Sequence, residues 1–166
     1  MERLWAPWRV QYIKAEAPEG CFFCTKAREN DDEQNHVISR GRSAFVLLNT
    51  YPYNNGHLMV APYAHLGELE ALDSEVLAEM MGLCQDAIRV LKQEFNPQGV
   101  NLGANLGAAA GAGVKDHLHL HLVPRWLGDT NFMPVVADVR VIPQSLDSAY
   151  RLLRHGFERL KETDGA

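Results

Sequence analysis

The chain has 166 residues, with 16 Lys and Arg against 21 Asp and Glu and a formal net charge of −5. That length suits a single domain with a sizeable core, and the interspersed charges offer no basic patch of the kind nucleic acid requires. No run of about 18 apolar residues is present, as a membrane-spanning helix would need. The first residues, with Glu2, Arg3 and Pro7, lack the apolar core of a secretory signal; the expected location is cytoplasmic.

In chain order, residues 1–20 read as an N-terminal arm whose Trp5 and Trp8 pack on the body or seal a dimer contact. Cys21-Phe22-Phe23-Cys24 follows as a C-x-x-C. In a reducing compartment this pair reads as metal-binding or redox-active rather than as a disulfide. The redox reading wants the motif to open a helix after a strand, and the local pattern predicts no such unit. A metal reading needs two further ligands. Residues 42–48 predict a strand, Tyr51-Pro52-Tyr53-Asn54-Asn55-Gly56 a turn, and 57–61 the return strand. Asp73 or Ser74 caps a long helix with Glu75 in its first turn. Its expected buried stripe is Val76, Leu77, Met80, Met81, Cys84, Ala87, Ile88 and Leu91, and Cys84 reads as a core thiol. Asn96-Pro97-Gln98-Gly99 stops the helix. Strands are expected over 100–106 and 114–123, separated by Gly107-Ala108-Ala109-Ala110-Gly111-Ala112-Gly113. A C-terminal helix within 143–162, capped by Ser145, buries Ala149, Leu152, Leu153, Phe157 and Leu160. Strands, helix, strands, helix with hairpin-like turns argue α+β with an antiparallel sheet.

His117-Leu118-His119-Leu120-His121-Leu122-Val123 carries the chemistry. Strand alternation puts three imidazoles on one face and leucines on the other. An amphipathic strand alone would be served as well by Thr, Lys or Glu. At ~3.3 Å per residue, His117 and His121 are roughly 13 Å apart along the backbone, so one zinc ion cannot easily take all three. One or two can ligate, leaving an imidazole free to attack an electrophilic phosphorus. The preceding Gly/Ala loop suits a phosphate cradle, because small residues let backbone N–H groups approach an anion.

The HLHLHLV run resembles the histidine triad (HIT) superfamily of nucleotide hydrolases and transferases, and the likeness extends from Cys21 to Phe132. The resemblance implies a HIT-like α+β fold over 21–132, with a nucleophilic His119 that becomes nucleotidylated and a His121 that hydrogen-bonds the phosphate or the leaving group. It implies that Cys21, Cys24, His65 (in Pro62-Tyr63-Ala64-His65) and His117 hold a structural zinc, which splits the triad between metal and chemistry. Asn49 falls where the family holds the ribose hydroxyls, and Asn105 where it frames the phosphate. Gly111, Gly113 and Val114 fall on the phosphate loop, although Gly113 and Val114 stand where many family hydrolases have Gln and Ser or Thr. His57, in Gly-His-Leu, reads as structural. The stretches Leu4-Trp5-Ala6-Pro7-Trp8-Arg9 and Pro124–132 resemble a prokaryotic subgroup that includes diadenosine tetraphosphate phosphorylases. The expectation is cleavage of dinucleoside polyphosphates with orthophosphate as acceptor, no catalytic metal, and a homodimer or a multiple of it. Two alternatives stand beside it: a hydrolase or purine-nucleoside phosphoramidase using water, and a low-turnover nucleotide-binding module.

Overall fold

The computed structural model describes residues 20–130 and 142–164. The expected arm with Trp5 and Trp8, and the end of the core at Asn131 and Phe132, lie outside the described residues. The elements are α1 (Phe22–Arg28), α2 (Asp32–Asn35), β1 (Val37–Arg40), β2 (Ala44–Leu48), β3 (Leu58–Pro62), α3 (Ser74–Phe95), β4 (Gly99–Gly103), β5 (Leu120–Arg125) and α4 (Leu146–Asp164). The strands form one antiparallel sheet in the order β1-β2-β3-β5-β4. The expected α+β class with an antiparallel sheet is the one observed.

The sheet has two differently used faces. Ala44, Val46, Leu48, Leu58, Val60 and Leu122 meet Met80, Cys84, Ala87, Val90 and Leu91 of α3 and Ala149, Leu153 and Phe157 of α4 in the main core. On the other face Val37, Phe45, Leu47, Met59 and Ala61 form a smaller cluster closed by Phe23 of α1. Two-sided burial explains why β2 and β3 read as unbroken apolar runs: every residue of both is buried. Asn96 ends α3 in the left-handed conformation (φ 45°), and Pro97 then forbids continuation. At the other terminus Ser145 Oγ accepts the Ser148 N–H at 3.2 Å, which is the expected cap of α4. Where α4 crosses α3, a Cβ on Gly156 would stand 2.5 Å from Val90 Cγ1, so glycine is needed for the approach.

Several expectations are corrected. The α3 stripe is rotated: Met81 is 47% exposed and Val90 is buried in its stead. In α4, Leu152 is exposed and Tyr150 takes the inner place. Strand β1 was not anticipated, because four residues interrupted by a register shift between Val37 and Ser39 give no readable alternation. The C-x-x-C does open a helix, α1, with Cys21 at its N-cap. Strand β4 ends at Gly103. The expected strand over 114–123 is observed over Leu120–Arg125. Lys115 and Asp116 lie in a turn, and Leu118 N–H reaches Leu66 O at 2.7 Å outside any ladder. The strand continues through Pro124 because β3 pairs only with residues 120–122, leaving β4 as its neighbour there among the described residues. Asn54 Nδ2 donates to the Pro124 carbonyl at 3.0 Å.

A polar strap ties the smaller face together. The Arg40 guanidinium donates to Ala27 O (2.8 Å), Lys26 O (3.2 Å) and Glu29 O (2.9 Å), satisfying the C-terminal carbonyls of α1. Arg40 also pairs with Asp32, whose second oxygen takes Arg154 of α4 at 3.3 Å. Arg154 in turn donates to Ile38 O at 3.1 Å.

Candidate active site

The leucine–histidine alternation has the expected result even though the ladder starts late. Leu118 and Leu122 enter the helix-side core, while His117, His119 and His121 turn to the α1 side. Each of the three rings is held by different partners.

His117 lies at a four-residue cluster. Cys21 Sγ is 3.3 Å from His117 Nδ1, Cys24 Sγ is 3.4 Å from His65 Nδ1, and the two Nδ1 atoms are 3.3 Å apart. All four donor atoms fall within 4.8 Å of one another. Two sulfurs and two imidazole nitrogens form the donor set of a closed tetrahedral zinc site. The ring of His117 is already oriented for it: Nε2–H donates to Pro62 O at 2.9 Å, which leaves Nδ1 unprotonated toward the cluster. The approach of the His65 loop is set by Gly67, where a Cβ would sit 2.5 Å from Lys115 O. The residues therefore fit a metal.

His119 is 7% exposed, and its Nδ1 lies 2.8 Å from His117 O. A nitrogen facing a carbonyl carries the proton, so the neutral ring keeps its lone pair on Nε2. Burial depresses its pKa, only partly offset by the bond to His117 O, and favours that neutral form.

His121 belongs to a second relay. His57 is fully buried, and its Nδ1 accepts the Tyr53 N–H at 3.1 Å and Asn49 Nδ2 at 3.3 Å. With Nδ1 accepting, neutral His57 must be protonated on Nε2, which faces His121 Nδ1 at 3.0 Å. His121 then carries its own proton on Nε2. Burial, reinforced by the charges His121 and His119 would carry, lowers His57 to about 3. Burial and then His119 lower His121 to about 4. Both rings are neutral at ordinary pH, and the relay makes His121 a hydrogen-bond donor. His57 thus has a larger part than the structural one read from sequence. The available signal was the return strand's alternation: His57 shares a face with Met59, which pairs with His121.

The remaining expected site residues divide. Asn49 follows β2 beside His57. Its Oδ1 accepts the Tyr51 N–H at 2.9 Å, which fixes the amide with Nδ2 toward His57. Asn105 is half-buried two residues beyond Gly103, the partner of His121 across the ladder. The Gly/Ala loop closes on itself: Gly111 N–H bonds Ala108 O (3.0 Å), and Ala110 and Ala112 N–H both reach Gly107 O (3.3 Å). Gly111 and Gly113 are exposed, and Val114 packs on the Phe23 cluster. Cys84 stands apart, 1% exposed in the main core, its thiol pushed up to about 11 by burial. Beyond His121 a cavity of about 260 Å³ opens, lined by Tyr53, Asn54, Asn101, Val123 and the Arg125–Asp129 ion pair.

Such a site, with an imidazole presenting Nε2 between a metal-type cluster and a neutral donor histidine, is that of a histidine-triad protein. The chain belongs to the HIT domain family, whose profile matches residues 30–126. It is 44% identical over 168 residues to AP-4-A phosphorylase of Mycobacterium tuberculosis, covering 96% of this chain and 86% of that protein. It is 31% identical over 110 residues to a 16.1 kDa HIT-like protein of Mycoplasma pneumoniae, covering 66% of this chain and 74% of that one. Among solved structures it resembles a zinc-bound histidine triad family protein of Mycobacterium smegmatis, with a TM-score of 0.67 and 25% identity, covering 87% of this chain and 97% of that one. Among the described residues, no helix is long and apolar enough to cross a membrane.

Proposed function

We propose that this chain is a nucleotidyl-transferring enzyme that cleaves dinucleoside polyphosphates, diadenosine tetraphosphate above all, with orthophosphate as acceptor. One observation carries the mechanism: Nδ1 of His119 is committed to His117 O at 2.8 Å, so Nε2 holds the attacking lone pair. The substrate class is supported by the 44% identity to an AP-4-A phosphorylase over nearly the whole chain.

His119 Nε2 attacks the α-phosphorus, the N–P bond forms, and the P–O bond to the departing nucleotide breaks. His121 donates from Nε2 to the phosphate or to the departing oxygen. Backbone N–H groups of Gly113 and Val114, with Asn105, stabilise the charge on the non-bridging oxygens, and Asn49 meets the ribose. The cavity beyond His121 gives the departing nucleotide room. Phosphate then attacks the nucleotidyl-histidine and restores the neutral ring. The bare Gly and Ala backbone of the loop, with Gly113 where related hydrolases have Gln, leaves space for that second anion.

Zinc, held by Cys21, Cys24, His65 and His117, has a structural part: it fixes α1 and the His117 carbonyl on which His119 depends. The functional unit is a symmetric homodimer. The edge of β4, unpaired among the described residues, and the exposed apolar Met81, Leu102 and Leu106 are the surfaces that support this. The whole chain acts as one HIT-like domain.

The reaction is tested with diadenosine tetraphosphate in labelled phosphate. Phosphorolysis gives ADP and ATP with label in ADP. AMP and ATP at a rate indifferent to phosphate would identify water as the acceptor and overturn the assignment of phosphate.

A further inference from the structure

Phe23 lies between the two cysteines of the C-x-x-C and is 1% exposed. Its ring centroid is 5.0 Å from that of His117 and 4.7 Å from that of His119, each at an interplanar angle of 34°. Phe22, its neighbour in the motif, turns edge-on to it at 5.2 Å, and Lys26 Nζ stands 4.9 Å over the Phe22 ring rather than over Phe23. The face of Phe23 is therefore given to the two imidazoles.

We propose that Phe23 is a positioning residue for the nucleophile: its ring fixes the plane of His119 and stabilises the positive charge that this imidazole acquires on nucleotidylation. The inference rests on the assignment of His119 as the nucleophile. The charge follows from the bonds already described. His119 keeps its proton on Nδ1, so forming N–P at Nε2 leaves one positive charge on the ring, while the electron pair of the broken P–O bond departs with the leaving oxygen. An aromatic face within about 6 Å of a desolvated cation attracts it. The same face offers little to the neutral ring, so the interaction grows along the reaction coordinate and accelerates the step. The sequence places this residue one position before Cys24 in the first turn of α1.

The test replaces Phe23 by 4-fluoro- and pentafluorophenylalanine, which keep the ring's shape while draining and then reversing its face charge, and adds Phe23→Leu as a natural variant. Three quantities are read: zinc content with thermal midpoint, the rate at which nucleotidyl-His119 forms without acceptor, and kcat against KM. Expected are unchanged metal and midpoint for the fluorinated proteins, a graded fall in the rate of adduct formation of about 3- to 30-fold across the series, and a loss falling on kcat with KM nearly constant. Adduct formation equal in all ring variants overturns the charge role. Equal rates in Phe23→Leu, with metal retained, overturn the positioning role as well. Absence of any adduct on His119 in the unmodified protein instead sinks the nucleophile assignment on which the inference stands.

Discussion

The two ends of the histidine row are held by opposite means. At the His117 end, four donor atoms from three distant segments converge within 4.8 Å, and the ring is oriented by the Pro62 carbonyl. At the His121 end, among the described residues, no acid or thiol takes part. A buried His57, itself fixed by a backbone N–H and an amide, hands its tautomer to His121 across 3.0 Å. The first arrangement gathers a donor set suited to a metal; the second keeps a proton at a chosen atom. His119, between them, takes its backbone anchor from the first and its neutral electrostatic surroundings from both. A histidine's part in a site is thus read from what its other nitrogen touches.

The most severe disruption spares both ends and removes the centre. His119→Ala should lower turnover by at least about 10³-fold with an unchanged thermal midpoint, because the side chain lost is the proposed nucleophile and not a core leucine. Retention of more than a few per cent of activity would take His119 out of that role. Breaking the first end comes next. Chelation, or Cys24→Ser, should release one equivalent of zinc and lower the thermal midpoint by many degrees, since binding to a closed site is folding free energy. A metal-free protein purified without a histidine tag, melting at the same temperature after chelator, would contradict the zinc proposal.

Breaking the second end should be milder and should leave metal content intact. His57→Leu removes the donor to His121 Nδ1 and should cost about 10- to 100-fold in kcat, in line with other orienting partners. His57→Gln, which can still present an N–H, should recover much of that. Equal losses in the two variants would argue that the space His57 fills matters and its proton does not.

The smallest effect concerns acid stability. His57 at about 3 and His121 at about 4 titrate well below the 6.5 of a free imidazole. Below pH 6.5 the unfolded chain therefore binds protons that the native protein refuses, so stability falls as pH drops through about 4 and then about 3. His57→Gln should give a shallower decline of denaturation midpoint between pH 6 and 4. An identical slope would mean that His57 is already protonated in the native state.

Chemistry was more legible in the sequence than geometry. The spacing of His117, His119 and His121 and the Cys21-x-x-Cys24 pair could be read because those residue types have few other uses in that pattern. The long helix was equally legible through its 3.6-residue stripe, yet Met81 and Val90 exchanged places, since the direction of a stripe is decided by what packs on it, here β2, β3 and α4. The observed start of β5 at Leu120 lies later than the expected 114 because alternation of Leu and His persists whether or not a neighbouring strand is present; β3 stops pairing at Val60–Leu120. The alternation of the return strand shows which face His57 occupies, but its partner His121, 64 residues away, is set by strand pairing that the sequence does not display.

One consequence lies in the Asp32 carboxylate, gripped on one oxygen by Arg40 and on the other by Arg154. Through it the helix carrying Cys24 and the helix at the far end of the chain share a single anchor. Amide protons of α1 and α4 should then exchange with solvent together, as one cooperative opening unit. Asp32→Asn would split that unit, letting α1 exchange sooner than α4 and slip from its place before the sheet is disturbed.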